Sequence, residues 1–242
     1  MASADASVKV IERALKMLNC FTKEKLSLSL VEIAREIDLP PSTTSRILAT
    51  LEKYNYLYRD EETQRYFLGP SIARLGTLCY SHMDFRRIAV PYMVQLRELY
   101  NESVGLYVPN KGYRVCIERI ESTHPLKRIL NIGDRLPLTR GASGRLLLAY
   151  QPQNVIDELL EADPYTSVER LAEIRSLGYS TSRSEREEGV VSVAAPIFDS
   201  RRKVVAALNV SGPAARITPD LMIEMALKTK EFALRISQEL GY

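Results

Sequence analysis

Residues 27–56, SLSLVEIAREIDLPPSTTSRILATLEKYNY, constrain the fold of this chain more than any other stretch. Ser29 and Glu32 have the spacing of a capping box, in which a hydroxyl accepts from the third helical amide and the glutamate reaches back. Apolar residues then recur at helical spacing and form one face, made of Leu30, Val31, Ile33, Ala34 and Ile37. A proline pair, which lacks amide donors, ends this first helix. A second helix begins either with Ser42 as its cap or with Pro41 as its first residue. The stretch is therefore predicted to form two helices joined by a tight turn.

The second helix of this pair is predicted to carry a polar outer face. Short hydroxyls and an arginine at the start of an exposed helix suit the DNA major groove, where they can reach phosphates and guanine. Residues 57–59 and 65–69 flank a polar loop and are typical of a β-hairpin, so the whole predicts a winged helix. The alternative is an ordinary amphipathic helix pair with a solvated face. The residues predicted to contact DNA are Ser42, Thr43, Thr44, Arg46, Thr50, Lys53, Arg59 and Arg65.

Charge gives this DNA hypothesis little support. The 242-residue chain has a net charge of +3, and residues 1–82 hold 11 basic and 10 acidic side chains, a balance of +1. A strongly basic domain would favour nucleic acid more clearly. Any contact with double-stranded DNA must therefore depend on where single basic residues lie, doubled if the protein is a dimer.

The composition is that of a soluble globular protein. Hydrophobic residues make up 45% and charged residues 26%, and no apolar run approaches the ~20 residues of a membrane span. The first residues lack the pattern of a secretory signal. Three widely spaced cysteines fit reduced thiols. We therefore expect a cytoplasmic protein that has no membrane association.

Composition shifts and turn signals divide the chain into three parts. Residues 1–70 are predicted to be the winged helix-turn-helix, residues 71–84 a linker helix, and residues 85–242 an α+β domain with an antiparallel sheet of about five or six strands. Residues 8–21 form a helix with two adjoining apolar stripes, which packs either within its own domain or against another subunit. The predicted strands are residues 103–108, 113–120, 126–132, 190–198 and 204–211. Thr166 and Glu169 are predicted to form a capping box for a helix that ends at Gly178.

The sequence lacks the marks of the common enzyme classes. Only two histidines are present, and neither a phosphate-binding P-loop nor a G-x-G-x-x-G motif occurs. Cys116 lies in a predicted apolar strand, where a thiol is inert. We therefore expect no catalytic residues, no metal site and no cofactor.

A small-molecule pocket is predicted from small polar residues in otherwise apolar surroundings. Residues 141–144, Gly-Ala-Ser-Gly, would place exposed amides and a hydroxyl at a helix start, which favours an anionic or polar ligand. Ser182, Ser192, Asn209 and Ser211 place polar side chains on or beside apolar strands. Pockets for small molecules are largely apolar with a few polar groups. The alternative is a packed sheet whose serines bond to the backbone.

The chain resembles the IclR family of bacterial transcriptional regulators over almost its whole length. The segments that carry the resemblance are VIERALKMLNCF, LSLVEIAREIDLPPSTTSRILATLEKYNYL, RYFLGPSIARLG, LPLTRGASGRLLLAY, GYSTSRSEREEGVVSVAAPIFD and VVAALNVSGPAARIT. The resemblance implies an N-terminal winged helix that dimerises, a linker helix and a GAF-like effector-binding domain. It further implies homodimers or dimers of dimers on a symmetric operator.

The resemblance also implies which residues bind the effector. By position these are Leu130, Leu136, Ala142, Ser143, Val190, Ser192, Asn209 and Ser211, to which we add Ser182. Many relatives carry acidic residues after the glycine and tyrosine that match Gly178 and Tyr179, whereas this chain has Ser-Thr-Ser-Arg. We therefore expect a small organic acid, either aliphatic or aromatic, whose carboxylate lies near Ala142 and Ser143. Arg128 and Arg183 would add to its binding if they turned inward.

The sequence analysis therefore leaves two functions from different classes. The first is a transcriptional regulator whose affinity for operator DNA is modulated by a small-molecule effector. The alternative is a GAF-like sensing or enzymatic domain whose winged helix serves protein–protein contacts. Salt-dependent DNA binding distinguishes them, because a module for protein contacts would not release counterions from DNA.

Overall fold

The computed structural model divides into two compact units, Met1–His82 and Met83–Tyr242. No helix in the part of the chain that the structure describes is long and apolar enough to cross a membrane. The described residues are 8–22, 24–81, 84–127, 130–185 and 187–242.

The first unit is a helix-turn-helix followed by a two-stranded hairpin and one more helix. The predicted capping box is present, because the Ser29 hydroxyl accepts from the Glu32 amide and the Glu32 carboxylate accepts from the Ser29 amide. The next helix begins at Pro41, one of the two predicted starts, and Ser42 does not cap it. The elements are α1 (Lys9–Asn19), α2 (Leu30–Glu36), α3 (Pro41–Lys53), β1 (Leu57–Arg59), β2 (Tyr66–Leu68) and α4 (Pro70–Ser81).

A small apolar core holds this unit together. Met17, Ile33, Leu48 and Leu57 are each at most 1% exposed and come from α1, α2, α3 and β1. Burying a side chain of this size contributes roughly 1.5–3 kcal/mol. Val31 was expected on the apolar face of α2 but is 58% exposed. At 100° per residue it lies far around the helix from Ile33, so that part of the expectation is wrong.

The second unit is a six-stranded antiparallel sheet with helices. The sheet order is β5-β4-β3-β8-β7-β6, and every neighbouring pair is antiparallel. Its elements are α5 (Asp84–Tyr100), β3 (Ser103–Asn110), β4 (Tyr113–Ile120), β5 (Arg135–Pro137), α6 (Ala142–Ala149), α7 (Gln153–Ala162), α8 (Val168–Leu177), β6 (Ser180–Arg183), β7 (Val190–Phe198), β8 (Val204–Pro213) and α9 (Pro219–Glu239).

Helix α6 packs on one face of the sheet, α8 packs on α6, and Ile156 of α7 belongs to the same apolar core. Leu146, Leu147 and Leu148 of α6 are fully buried in a cluster that includes Ala194 and Ala207 of the sheet. Side chains alternate along a strand, so their neighbours point to the other face, where α5 and α9 pack. The predicted α+β architecture, a winged helix followed by an antiparallel-sheet domain, is confirmed.

Two local predictions in this unit are wrong. The described part of residues 126–132 forms no strand, and the edge strand is β5 instead. A turn interrupts the chain here, since the amide of Asn131 donates to the Asp134 carboxylate and Gly133 has a φ of +91°. A capping box on Thr166 was also expected, but Ser167 is the cap of α8, and its hydroxyl accepts from the Arg170 amide.

Candidate functional site

Most of the polar residues predicted on α3 do form an outer face. Ser42, Arg46, Thr50 and Lys53 are exposed. The Arg46 side chain makes no hydrogen bond or ion pair with any residue that the structure describes. The Thr50 hydroxyl donates to the Arg46 carbonyl at 3.0 Å, as serine and threonine often do within helices. The Arg46 guanidinium is therefore available to a partner outside this unit.

Thr44 does not belong to this face. Its side chain is 0% exposed, and its hydroxyl finds no hydrogen-bond partner among the described residues. Thr44 lies one turn before Leu48, on the side of α3 that enters the core. Its prediction as a DNA contact is therefore wrong, whereas the neighbouring Thr43 is half-buried and Ser45 is exposed.

The hairpin β1–β2 forms the predicted wing. Its strands pair from Leu57↔Leu68 to Arg59↔Tyr66. The guanidinium carbon of Arg59 lies 5.5 Å from the centre of the Tyr66 ring, a distance typical of a cation–π contact. Arg59 itself is exposed, so its charge remains at the surface of the wing.

Arg65, the other predicted wing contact, is engaged within the unit. Its Nε donates to the Ser27 hydroxyl at 2.9 Å, and its Nη2 donates to the Ser27 carbonyl at 3.0 Å and to Glu32 at 2.8 Å. Hydrogen bonds from the Ser29 amide and hydroxyl, followed by the charge of Arg65, lower the pKa of the Glu32 carboxyl. Arg65 thus fastens the wing to the first turn of α2.

In the second unit, the start of α6 faces the strands β6 and β7 across a narrow cleft. Gly141 precedes the helix with a φ of +74°, a conformation that favours glycine. The cavity volume is about 10 Å³, room for about one water molecule. It is lined by Arg114, Gly141, Ser143, Ser182, Glu187, Val190 and Ser192.

This cleft contains four of the nine predicted effector residues. Ser143, Ser182, Val190 and Ser192 line it directly. Ser211 is paired with Ser192 in the sheet and therefore continues the same row one strand further away. The other four do not line the cleft: Leu130, Leu136 and Ala142 belong to the surrounding apolar cluster, and Asn209 donates to the Val193 carbonyl at 2.8 Å.

The serines of the cleft are buried, and their hydroxyls have no hydrogen-bond partner in the part of the chain that the structure describes. Ser143, Ser182 and Ser192 are 4%, 6% and 7% exposed, and none makes a side-chain hydrogen bond with a residue that the structure describes. Buried hydroxyls are normally hydrogen-bonded. Among the described residues, these three hydroxyls therefore bond neither to the backbone nor to another side chain, and they can bind water or a small molecule.

Sequence reasoning missed Arg114, which supplies the positive charge of the cleft. Arg114 lies on β4 and is 2% exposed. Its Nη1 donates to the carbonyls of Pro137 and Arg140, the latter at 2.8 Å. Of the two arginines predicted instead, Arg183 is exposed and donates to the Ile217 carbonyl at 2.9 Å, and Arg128 lies outside the described residues.

Two glycines make room for Arg114. A Cβ at Gly144 would overlap its Nη1 and would also lie 2.8 Å from the Leu138 carbonyl oxygen. A Cβ at Gly141 would lie 3.3 Å from its Nη2. The glycines of the Gly-Ala-Ser-Gly segment were the available signal, since small residues at a helix start permit the close approach of another group.

The Cys116 thiol and possible metal ligands are the other groups that could carry chemistry. Burial raises the pKa of the Cys116 thiol to about 11, so the thiol stays protonated and inert. Within the described ranges, no group of three His, Cys, Asp or Glu side chains is placed to hold a metal ion.

Comparison with known proteins gives matches for both units. The family described as "IclR helix-turn-helix domain" matches residues 10–61, and "Bacterial transcriptional regulator IclR C-terminal" matches residues 77–238. The chain is 30% identical to the HTH-type transcriptional regulator KipR of Bacillus subtilis, covering 97% of this chain and 98% of KipR. It is also 30% identical to the HTH-type transcriptional repressor AllR of Klebsiella pneumoniae, covering 99% of this chain and 92% of AllR.

One solved structure is similar to this chain, and the similarity supports the fold but not the function. It is an IclR homologue from Microbacterium hydrocarbonoxydans, complexed with 4-hydroxybenzoate. The two chains are 22% identical, with a TM-score of 0.83 over 96% of this chain and 98% of that one.

A winged helix-turn-helix unit followed by a sheet unit with a buried polar cleft defines a transcriptional regulator that has separate DNA-binding and effector-binding domains. Both family matches occur in that same order along the chain. The chain belongs to the IclR family of bacterial transcriptional regulators. The predicted resemblance is thereby confirmed, and the relatives are regulators rather than enzymes.

Proposed function

We propose that the outer face of α3 reads operator DNA while the wing contacts the adjacent backbone. The observation that carries this proposal is Arg46, an exposed arginine on α3 whose side chain has no partner among the described residues. An arginine presented in this way can make bidentate hydrogen bonds to guanine. Phosphate contacts are assigned to Lys53 and Arg59, and hydroxyl contacts to Ser42, Thr43 and Thr50. Arg65 is assigned to holding the wing in place.

The test compares Arg46→Ala with Arg201→Ala, which removes the same charge from an exposed turn of the other unit. Binding is measured on an operator fragment selected from a random-sequence DNA pool. Arg46→Ala should weaken binding by about 1–3 kcal/mol and relax the preference at one base position. Arg201→Ala should bind like the parent protein. Equal affinities for all three proteins would contradict the assignment of α3 as the reading helix.

We infer that two copies associate through α1. Val10, Ile11 and Leu15 of α1 are large apolar side chains that are 54–59% exposed. Apolar patches of this kind mark interaction surfaces in soluble proteins. Two half-sites bound together also explain how a first unit with a charge balance of only +1 could reach specific affinity.

Sedimentation velocity at micromolar concentration tests this association. Leu15→Glu should shift the protein towards monomer and weaken operator binding. Leu68→Glu makes the same substitution at an exposed leucine of the wing and should leave the sedimentation coefficient unchanged. If Leu15→Glu sedimented like the parent protein, α1 would not be the interface.

We further propose that a small organic acid binds in the cleft at the start of α6 and changes operator affinity in the cytoplasm. The buried hydroxyls, which have no hydrogen-bond partner among the described residues, and the positive end of α6 support an anionic group at this place. The solved structure of similar fold is complexed with 4-hydroxybenzoate, which is also an organic acid. Allosteric coupling of about 1–3 kcal/mol would suffice for regulation.

A thermal-shift screen of small carboxylates tests the effector proposal. An acid held at 100 times its dissociation constant adds about 2.7 kcal/mol to stability. In the Ser143→Leu variant the larger side chain should fill the cleft, abolish the response and leave operator binding intact. A variant that still responded with unchanged affinity would place the effector elsewhere.

A further inference from the structure

We propose that Arg114 binds the anionic group of the effector and that Tyr107 limits the size of the ligand that reaches it. This inference rests on the proposed effector function of the cleft. Both residues lie on the sheet face covered by α6, and each is 2% exposed.

Arg114 is held in a fixed position at the floor of the cleft. The carbonyls of Pro137 and Arg140 accept from its Nη1, which fixes the plane of the guanidinium. Its Nη2 lies beside Gly141, at the residue that precedes α6. Guanidinium groups bind carboxylates through paired charge-assisted hydrogen bonds, which are stronger than neutral ones. The positive end of α6 and the Arg114 charge therefore act on the same small volume.

The buried serines place hydroxyl groups in the same cleft as the Arg114 charge. Ser143, Ser182 and Ser192 line the same cleft, and no described residue forms a hydrogen bond with their hydroxyls. Glu187, the acidic residue of the lining, is exposed at the rim. An acid would therefore bind with its carboxylate towards Arg114 and away from Glu187.

Tyr107 fills the space next to Arg114. The guanidinium carbon lies 5.8 Å from the centre of the tyrosine ring. On the other side, the ring covers Gly105, where a Cβ would lie only 2.8 Å from Cε2 of Tyr107. The remaining cavity of about 10 Å³ is too small for an aromatic acid. Removal of the Tyr107 ring should therefore open a space of aromatic size directly beside the arginine.

The experiment uses benzoate and benzamide, two probes of nearly equal shape that differ in charge. Binding to the full-length chain is measured by thermal shift and calorimetry. We expect Tyr107→Ala to bind benzoate at least tenfold more tightly than benzamide, whereas the parent protein binds neither at millimolar concentration.

The double variant Tyr107→Ala, Arg114→Met should lose the preference for benzoate over benzamide. If Arg114→Met prevents folding, the Tyr107→Ala comparison still decides. Equal affinities for the two probes would overturn the role of Arg114, and failure to bind either probe would overturn the role of Tyr107. Operator affinity is measured separately with and without benzoate. Benzoate that bound to Tyr107→Ala without changing operator affinity would leave this inference standing and would contradict the effector function instead.

Discussion

Thr44→Val should stabilise the first unit without affecting DNA recognition. The substitution replaces the buried hydroxyl, which has no hydrogen-bond partner among the described residues, by a methyl group of similar shape. An unsatisfied buried polar group costs about 1–3 kcal/mol. Threonine and valine have similar helix propensities, so the backbone contribution nearly cancels. We expect a gain of about 1–2 kcal/mol.

Hydrogen exchange of the α3 amides measures this gain within the full chain. A gain of about 1.4 kcal/mol should slow the exchange of the core-facing amides about tenfold. Thr50→Val is the matched control, since the Thr50 hydroxyl is exposed and already bonded to the Arg46 carbonyl. It should change exchange little.

Operator binding of the Thr44→Val variant gives a second readout. Thr44→Val should bind within about twofold of the parent protein, because the side chain is completely buried. Faster exchange in Thr44→Val would mean that the hydroxyl has a partner, such as an ordered water. A folded variant with at least tenfold weaker operator binding would refute the placement of Thr44 in the core.

Two further predictions concern pH and backbone packing. The hydrogen bond from Arg140 is the main cause that lowers the pKa of the Asp163 carboxyl. The ionised carboxylate therefore stabilises the fold fully above its unfolded pKa of about 3.9, and this contribution is lost as the pH falls through the lower folded pKa. Asp163→Asn should therefore flatten the stability profile below about pH 4 in acid titrations followed by circular dichroism, and an unchanged profile would contradict this. Gly69→Ala would place a Cβ against the Asn55 carbonyl group, 2.8 Å from its carbon atom. The substitution should lower the free energy of unfolding, measured by urea denaturation, by about 1–3 kcal/mol. An unchanged urea midpoint would show that the turn relaxes around the new methyl group.

The sequence predicted structural elements correctly where they depend on interactions between residues close together in the chain. The capping box of Ser29 and Glu32 involves residues three apart, and its geometry is present as expected. The run of residues 190–198 coincides with β7, and Gly178 ends α8 with a φ of +70°. Each of these depends on neighbours within one or two turns of chain.

The same reasoning failed where the outcome depends on tertiary packing. Helical spacing predicted a polar face on α3 but wrongly included Thr44 in that face. Thr44 is buried because α3 packs against α1 and α2 on that side. Arg114 has no local signature, since its contacts come from residues 137–144, more than twenty positions later. Arg65 was predicted as a DNA contact, but nothing in the local sequence indicated its hydrogen bond to Ser27, 38 positions away.

The row of serines across three strands has a consequence for how the protein can change over generations. Ser182 faces Ser192, and Ser192 faces Ser211, so three neighbouring strands place a hydroxyl at the same level of the sheet. Backbone pairing and apolar neighbours fix this register, and the hydroxyls themselves contribute little to it. Substitutions along the row can therefore alter which molecule is recognised while the scaffold persists. A lineage could acquire a response to a new metabolite through single amino-acid replacements at these three sites.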